Sequence, residues 1–279
     1  MESSRAGNRR ADKLAGKKED MHTKITPENP NGYDRYGFAW QNVPQDSTAH
    51  LDFGCYDGVF LATLKSKGIP RLVGVDISKN AVQKAHERFG DLEIMHISKT
   101  VPLPFEDAEF TSITVLDVLE HVDEQSTLLD ELNRVLKNNG TLIVTVPCRH
   151  FFSFLDTGNL KFRFPRLHRW YYCWKHSKAQ YEHRYVSNPD GLVGDICAKK
   201  GWHEHFSRAG LEKLLKSCGF NVVEFDGTGF FSRVIKNLSF LLASFKPLQT
   251  LLKRIEALDA KSFESANLFC VAKKQQKNE

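Results

Sequence analysis

Two carboxylates with a glycine loop between them are the residues best suited to chemistry in this chain. The run Asp52-Phe53-Gly54-Cys55-Tyr56-Asp57-Gly58 is followed, eighteen residues after Gly58, by Asp76. Glycines let a ligand approach the backbone, and an acid after the next strand accepts hydrogen bonds from ribose hydroxyls, so the pair describes a nucleotide-binding arrangement. A dinucleotide would bring a pyrophosphate to the helix N-terminus. Here Asp52 and Asp57 flank the loop and would repel phosphates, and only Gly54 and Gly58 of a G-x-G-x-x-G pattern are present. The two acids suit a ligand carrying an ammonium and a sulfonium. The bland alternative is that Asp57-Gly58 is only a turn.

Histidine is the side chain best matched to acid–base work near neutral pH. His183 lies in Tyr181-Glu182-His183-Arg184-Tyr185, and His203 and His205 lie in Gly201-Trp202-His203-Glu204-His205-Phe206. These three are the candidates for a general base; each could equally be a packing or surface histidine. Asp117, Glu120 and His121, with His203 or His205, offer oxygen and imidazole donors to a metal, but the preferred reading assigns no metal.

The elements that must position these groups follow a βα alternation. Strands are expected at Ala49 to Phe53 (a short apolar strand), Arg71 to Val75, Leu92 to Ile97, Ser112 to Leu116 and Thr141 to Val146. Helices are expected at Val59 to Lys67, Asn80 to Phe89 and Asp123 to Lys137, the last stopping at an Asn139-Gly140 cap. Tyr33 to Trp40 is aromatic and reads as a first helix or a lid segment. After Pro147 the rhythm breaks, then resumes with a helix at Ser207 to Ser217, a strand at Asn221 to Phe225 and a last strand at Ala266 to Lys273. Strands separated by single helices imply a doubly wound, mostly parallel sheet.

The glycine loop resembles motif I of the class I S-adenosylmethionine-dependent methyltransferases. The likeness continues through Leu72-Val73-Gly74-Val75-Asp76-Ile77-Ser78, Leu103-Pro104-Phe105-Glu106-Asp107, Asp117-Val118-Leu119-Glu120-His121-Val122, Glu131 to Gly140 and Cys218-Gly219-Phe220, covering about 50 to 147 and 203 to 225. The resemblance implies a seven-stranded Rossmann-like α/β sheet with an antiparallel last strand. It implies S-adenosylmethionine as cofactor, with Asp52, Gly54, Cys55 and Gly58 around its methionine part. Asp76 would take the ribose hydroxyls, Ile77 the adenine, and Leu116 and Asp117 would sit beside the methyl group. Two positions depart from the family. Tyr56 stands where a glycine is usual, so the loop needs a conformation that tolerates a side chain, or Tyr56 covers the cofactor. The acid that often binds the adenine amino group is absent from His96-Ile97-Ser98-Lys99, which leaves Ser98 or the backbone for that contact.

The segment after strand 5 points to the acceptor. Phe151 to Tyr185 holds eleven aromatic residues and seven Lys/Arg against Asp156 and Glu182. It lies at the carboxyl end of the sheet, where ligands of such folds bind. Aromatic faces stack on sugars or bases, and Arg163, Arg166, Arg169 and Arg184 suit phosphate. The insert, 151–206, also resembles that of bacterial methyltransferases associated with surface-polysaccharide synthesis. The expected reaction is methyl transfer to a hydroxyl of a sugar, a nucleotide-linked glycan or another anionic small molecule. RNA methylation is the competing class, although no RNA-binding module is recognisable. A non-catalytic binding protein on a degenerate methyltransferase fold is the third.

The remaining composition is ordinary for a soluble enzyme: 279 residues, 41% hydrophobic, 26% charged, net charge +5. The mild basic excess does not by itself indicate nucleic acid. Residues 1–30 read as a disordered tail without a signal peptide, 31–150 as the cofactor-binding part, and 207–279 as the remainder of the domain. Six cysteines without CxxC spacing argue against a zinc ribbon or a disulfide framework and for a cytoplasmic protein. Residues 230–258 carry apolar side chains at helical spacing, compatible with a membrane surface, a dimer contact or a packed cap. Oligomeric state is not legible.

Overall fold

The computed structural model describes residues 35–149, 151, 164–186, 204–231, 234–235, 238, 246–262 and 267–276. The tail at 1–30, much of 230–245, and His203 lie outside them. In chain order the elements are α1 (Arg35–Asn42), β1 (Ala49–Phe53), α2 (Val59–Thr63) running into a 3-10 turn (Leu64–Lys67), β2 (Arg71–Asp76), α3 (Lys79–Arg88), β3 (Glu93–His96) and β4 (Phe110–Leu116). A 3-10 turn (Leu119–His121) then leads to α4 (Gln125–Val135), β5 (Leu136–Pro147), α5 (Pro165–Lys175), α6 (Lys178–Tyr185), α7 (Arg208–Ser217), β6 (Phe220–Gly227), α8 (Lys246–Ser262) and β7 (Asn267–Lys274).

The seven strands form one sheet in the order β3-β2-β1-β4-β5-β7-β6. β1 to β5 are parallel, while β7 runs antiparallel to both β5 and β6. The order reverses between β1 and β4, so a crevice opens outside their carboxyl ends, where ligands of such sheets bind. No helix among the described residues is long and apolar enough to cross a membrane.

Strand alternation sorts the core into two layers. Leu51, Phe53, Ile113, Val115, Leu142 and Val144 face α4 and α7, whose Leu128, Leu129, Leu132, Leu211 and Leu215 are fully buried. Phe38 and Ala39 of α1 belong to the other layer with Ile143, Phe269 and Val271. The Phe38 ring lies 5.3 Å from that of Phe269. This second face carries His50 and Asp52 on β1 and Ser112 and Thr114 on β4, all buried. The expectation of a simply apolar first strand is thus corrected: β1 is buried on both faces, and one of them is polar.

The end of α4 also differs from expectation. The helix stops at Val135, and β5 begins at Leu136 without a connecting loop. The ammonium of Lys274 takes over the role of a glycine cap, donating to the carbonyls of Asn133 (2.6 Å) and Leu136 (2.7 Å). Asn139 does take the left-handed backbone, φ +60°, but inside β5.

Candidate functional site

The β1–α2 loop is shaped by close contacts on three sides. Gly54 has φ +80°, and a Cβ there would meet Val118 Cγ2 at 2.4 Å; Gly58 has φ +74°, and its Cβ would meet Ile94 Cδ1 at 2.7 Å. Both positions therefore favour glycine for backbone angle, and Gly54 also for its close approach to Val118. The Gly54 and Cys55 amides donate to the Val75 carbonyl at 2.8 and 3.1 Å, which folds the loop back onto β2. Tyr56 sits at φ +48°, the left-handed conformation that a glycine would adopt without strain. Its ring stays 51% exposed. The tolerance anticipated for this position is therefore met by a strained backbone, costing roughly 1–2 kcal/mol.

Asp76 closes β2 and is buried. Its Oδ2 accepts from the Tyr56 amide and its Oδ1 from the Ser78 amide, each at 2.8 Å. The Ser78 hydroxyl in turn caps α3, accepting from the Ala81 amide at 3.2 Å. Two backbone amides thus fix both oxygens of the Asp76 carboxylate at the end of β2, beside the glycine loop.

Asp52 lies buried under the loop, with Thr114 Oγ1 donating to its Oδ1 at 2.7 Å. Burial pushes its carboxyl up to about 7, the Thr114 hydrogen bond opposes the shift, and the negative charge of Asp76 adds to it. Burial also raises the Cys55 thiol, with Asp52 and Asp76 adding to the effect; Cys55 is an inert packing group against Gly74. Asp57 belongs elsewhere, since Arg88 Nη1 lies 2.8 Å from its Oδ2. Of the two acids expected to flank the loop, Asp57 is paired with Arg88 and Asp52 has no cation partner among the described residues; Asp76 is the acid that acts on Asp52.

β4 ends on Leu116, half-buried, and on Asp117, which adopts φ +54°. Thr145 fixes that turn: its carbonyl accepts the Asp117 amide at 3.0 Å and its hydroxyl donates to Asp117 Oδ1 at 2.8 Å. Arg35 of α1 binds the other carboxylate oxygen, Nη1 to Oδ2, at 2.6 Å, and its Nη2 donates to the Tyr36 hydroxyl at 3.0 Å. Its buried Nε lacks a hydrogen-bond partner among the described residues. Glu120 is fully buried and its Oε1 lies 3.9 Å from His121 Nε2. A metal held by Asp117, Glu120 and His121 would therefore share Asp117 with a guanidinium. Among the described residues no group of three or more His, Cys, Asp or Glu is arranged to hold a metal ion.

The other candidates are spread along the same edge. Ile77 is 39% exposed, and His96 Nε2 lies 3.2 Å from its carbonyl. Ser98 is exposed just after β3. His205 stands beside Phe206, whose amide and carbonyl bond Pro147 and Arg149 at 2.8 and 2.7 Å, so it is pinned at the carboxyl end of β5. Glu204 next to it accepts from Gln125 Nε2 at 3.0 Å. His183 lies on α6, and His203 is outside the described residues.

Within the insert, α5 and α6 form a hairpin with a small aromatic core of its own: Tyr181 is buried, with Tyr172 and His168 both 5.8 Å away. Trp170 and Trp174 point elsewhere, 64% and 73% exposed, their rings parallel at 6.3 Å. With Arg166, Arg169 and Cys173 they line an open groove of ≈ 590 Å³.

Sequence reading missed Arg35 and His50. Arg35 was hidden among aromatics, and the clue to its role was the one cation in Arg35 to Asn42. His50 belongs to a period-two polar stripe, His50/Asp52 against Ser112/Thr114, that emerges only once β1 and β4 are placed side by side.

Fold and loop together define the class I methyltransferase architecture. The chain matches the family model described as "Methyltransferase domain" over residues 34–225 and belongs to that family. It is 30% identical over 121 residues to a probable S-adenosylmethionine-dependent methyltransferase of Mycobacterium tuberculosis, covering 43% of each chain. It is 24% identical over 128 residues to the mitochondrial ubiquinone biosynthesis O-methyltransferase of Dictyostelium discoideum, covering 41% of this chain and 40% of the relative. The match thus spans less than half the length of these curated relatives. In three dimensions it is similar to the methyltransferase complexed with the Trm112 activator of Haloferax volcanii (TM-score 0.56, 18% identity, 96% and 97% covered). It is also similar to an S-adenosylmethionine-dependent methyltransferase of Mesorhizobium loti (TM-score 0.54, 14% identity, 88% and 100% covered).

Proposed function

We propose that this protein transfers a methyl group from S-adenosylmethionine to a hydroxyl of a sugar, a nucleotide-linked glycan or another anionic small molecule. The observation that carries the cofactor is the pair of buried acids, Asp52 and Asp76, beside a loop turned by two positive-φ glycines, Gly54 and Gly58. The cofactor supplies an activated methyl on a sulfonium, so positioning is a large part of catalysis. Asp76 would hold the ribose hydroxyls. Asp52 and the Gly54, Cys55 and Gly58 backbone would surround the methionine part, its ammonium opposite Asp52. Arg35 adds a cation for the methionine carboxylate. Ile77 and Ser98 would line the adenine, Leu116 and Asp117 the methyl group, and Tyr56 would cover the site.

The acceptor reading rests on the insert, 151–206. Trp170 and Trp174 offer exposed ring faces beside Arg166, a combination suited to a sugar ring that carries phosphate; Arg169, which also lines the groove, is paired with Glu182. His205 is the preferred general base of the three histidines because the backbone of its neighbour Phe206 is tied to the carboxyl end of β5.

The test is product formation from labelled S-adenosylmethionine with phosphorylated sugars, nucleotide-linked sugars and a single-stranded RNA offered in parallel. Turnover confined to the sugar phosphates supports the proposal. Turnover on RNA alone would move the protein to the nucleic-acid class, and cofactor binding with no turnover on any acceptor would favour a binding role.

A further inference from the structure

We infer that His50 is a positioning residue for the cofactor: it carries a continuous hydrogen-bond relay through the sheet that sets the orientation and charge of the Asp52 carboxylate. The inference rests on the proposed meeting of Asp52 with the cofactor's ammonium.

Four contacts make the relay. Ser47 Oγ lies 2.9 Å from Ser112 Oγ, Ser112 Oγ 2.8 Å from His50 Nδ1, His50 Nε2 3.0 Å from Thr114 Oγ1, and Thr114 Oγ1 2.7 Å from Asp52 Oδ1. All five residues are buried. The parallel register produces the relay, since His50 pairs with Ser112 and Asp52 with Thr114, one side-chain repeat apart on the same face. A strand buried on both faces ordinarily fills such a position with an apolar side chain.

Proton bookkeeping gives the relay a direction. While Asp52 is ionised, Thr114 donates to it, so the Thr114 oxygen can only accept from His50 Nε2–H. Nδ1 then accepts from the Ser112 hydroxyl, which accepts from Ser47. When Asp52 takes up a proton the sequence reverses: Asp52 donates to Thr114, Thr114 to Nε2, and Nδ1–H to Ser112. No bond other than O–H and N–H changes, and the net change is the one proton gained. The imidazole stays neutral in both states and changes only its tautomer.

Among the described residues, these charged groups face the relay. Asp76 of β2 and the Cys55 thiol of the loop face Asp52. Lys67 of the 3-10 turn faces His50, its ammonium donating to the Val43 carbonyl at 2.7 Å and lying over the Trp40 ring. Arg35 of α1, on the same side of the sheet, is engaged by Asp117. Burial first, and Lys67 second, oppose protonation of the imidazole, which leaves tautomer exchange as its response.

Two measurements on the full chain test this. In the unliganded protein with ¹⁵N-labelled histidine, long-range ¹H–¹⁵N spectra from about pH 5.5 to about 8.5 should show His50 neutral throughout. It should be Nε2–H at the high end and Nδ1–H at the low end. Thr114→Val, which cuts the relay, should abolish the exchange. In calorimetric titrations with S-adenosylmethionine, His50→Val and Thr114→Val should weaken binding about tenfold at neutral pH and move its pH midpoint upward. Thr114→Ser should restore both. A His50 tautomer that ignores pH would overturn the inference, as would folded variants that keep the wild-type pH midpoint. If the wild type binds no cofactor at all, the cofactor reading fails, while the tautomer still decides the relay.

Discussion

Arg35 Nη1 lies 2.6 Å from Oδ2 of Asp117, 82 residues away in the chain. The contact ties the first helix to the turn that ends β4 and brings a cation to the edge of the crevice outside the carboxyl ends of β1 and β4. Both side chains retain partial solvent access, 40% and 26%, so the pair itself contributes at most about 1 kcal/mol. Arg35→Ala should accordingly lower the melting temperature by no more than about 2–4 °C. The larger effect should fall on S-adenosylmethionine affinity, roughly tenfold or more by titration calorimetry. Equal cofactor affinity in wild type and variant would leave Arg35 a purely structural tie.

Gly54 and Val118 offer a double-mutant cycle. Gly54→Ala should destabilise the protein by roughly 2 kcal/mol or more, combining the φ penalty with a clash. Adding Val118→Ala removes the clash and leaves the backbone penalty, so chemical denaturation should recover only part of the loss. Full recovery would mean that the φ of +80° at Gly54 carries no strain.

His50 and Asp52 pull stability in opposite directions with pH. Asp52 is raised to about 7 by burial. The native state therefore holds a proton that the unfolded chain has released between about pH 4 and 7, and stability falls as pH rises through that window. His50 is lowered to about 3 by burial and by Lys67. The unfolded chain then holds the extra proton from about pH 3 to 6.5, and stability rises with pH there. In the wild type the two slopes nearly cancel between about pH 4 and 6.5. Asp52→Asn should unmask a positive slope and His50→Gln a negative one, each up to about 1.4 kcal/mol per pH unit. Parallel profiles for the two variants would contradict both assignments.

Trp170 and Trp174 can be tested without touching the core. Each is exposed, so alanine there should change stability by less than about 0.5 kcal/mol. If the groove receives the acceptor, the double variant should raise the acceptor KM about tenfold or more while leaving cofactor affinity intact. An unchanged KM would remove the groove from the acceptor site.

The legible part of the sequence was the part written in spacing. The βα alternation, Gly54, Gly58 and Asp76 could be placed because strand period and glycine turns are local properties. Long-range contacts were not legible in the same way. Nothing near Asn139-Gly140 reveals that Lys274, more than 130 residues later, caps α4. Asp57 looked like a ligand-facing acid until the fold brought Arg88 to it. The His50 stripe required knowing that β1 and β4 are neighbours in register, which only the strand order supplies.

Titration calorimetry with S-adenosylmethionine and its demethylated product, on the wild type and Asp76→Ala, tests the central claim most directly. Saturable wild-type binding of both ligands is expected. Asp76→Ala should lose it, with circular dichroism confirming that the variant is folded. A wild type that binds neither, or an Asp76→Ala variant that binds both as well as wild type does, would contradict the assignment of this crevice to the cofactor.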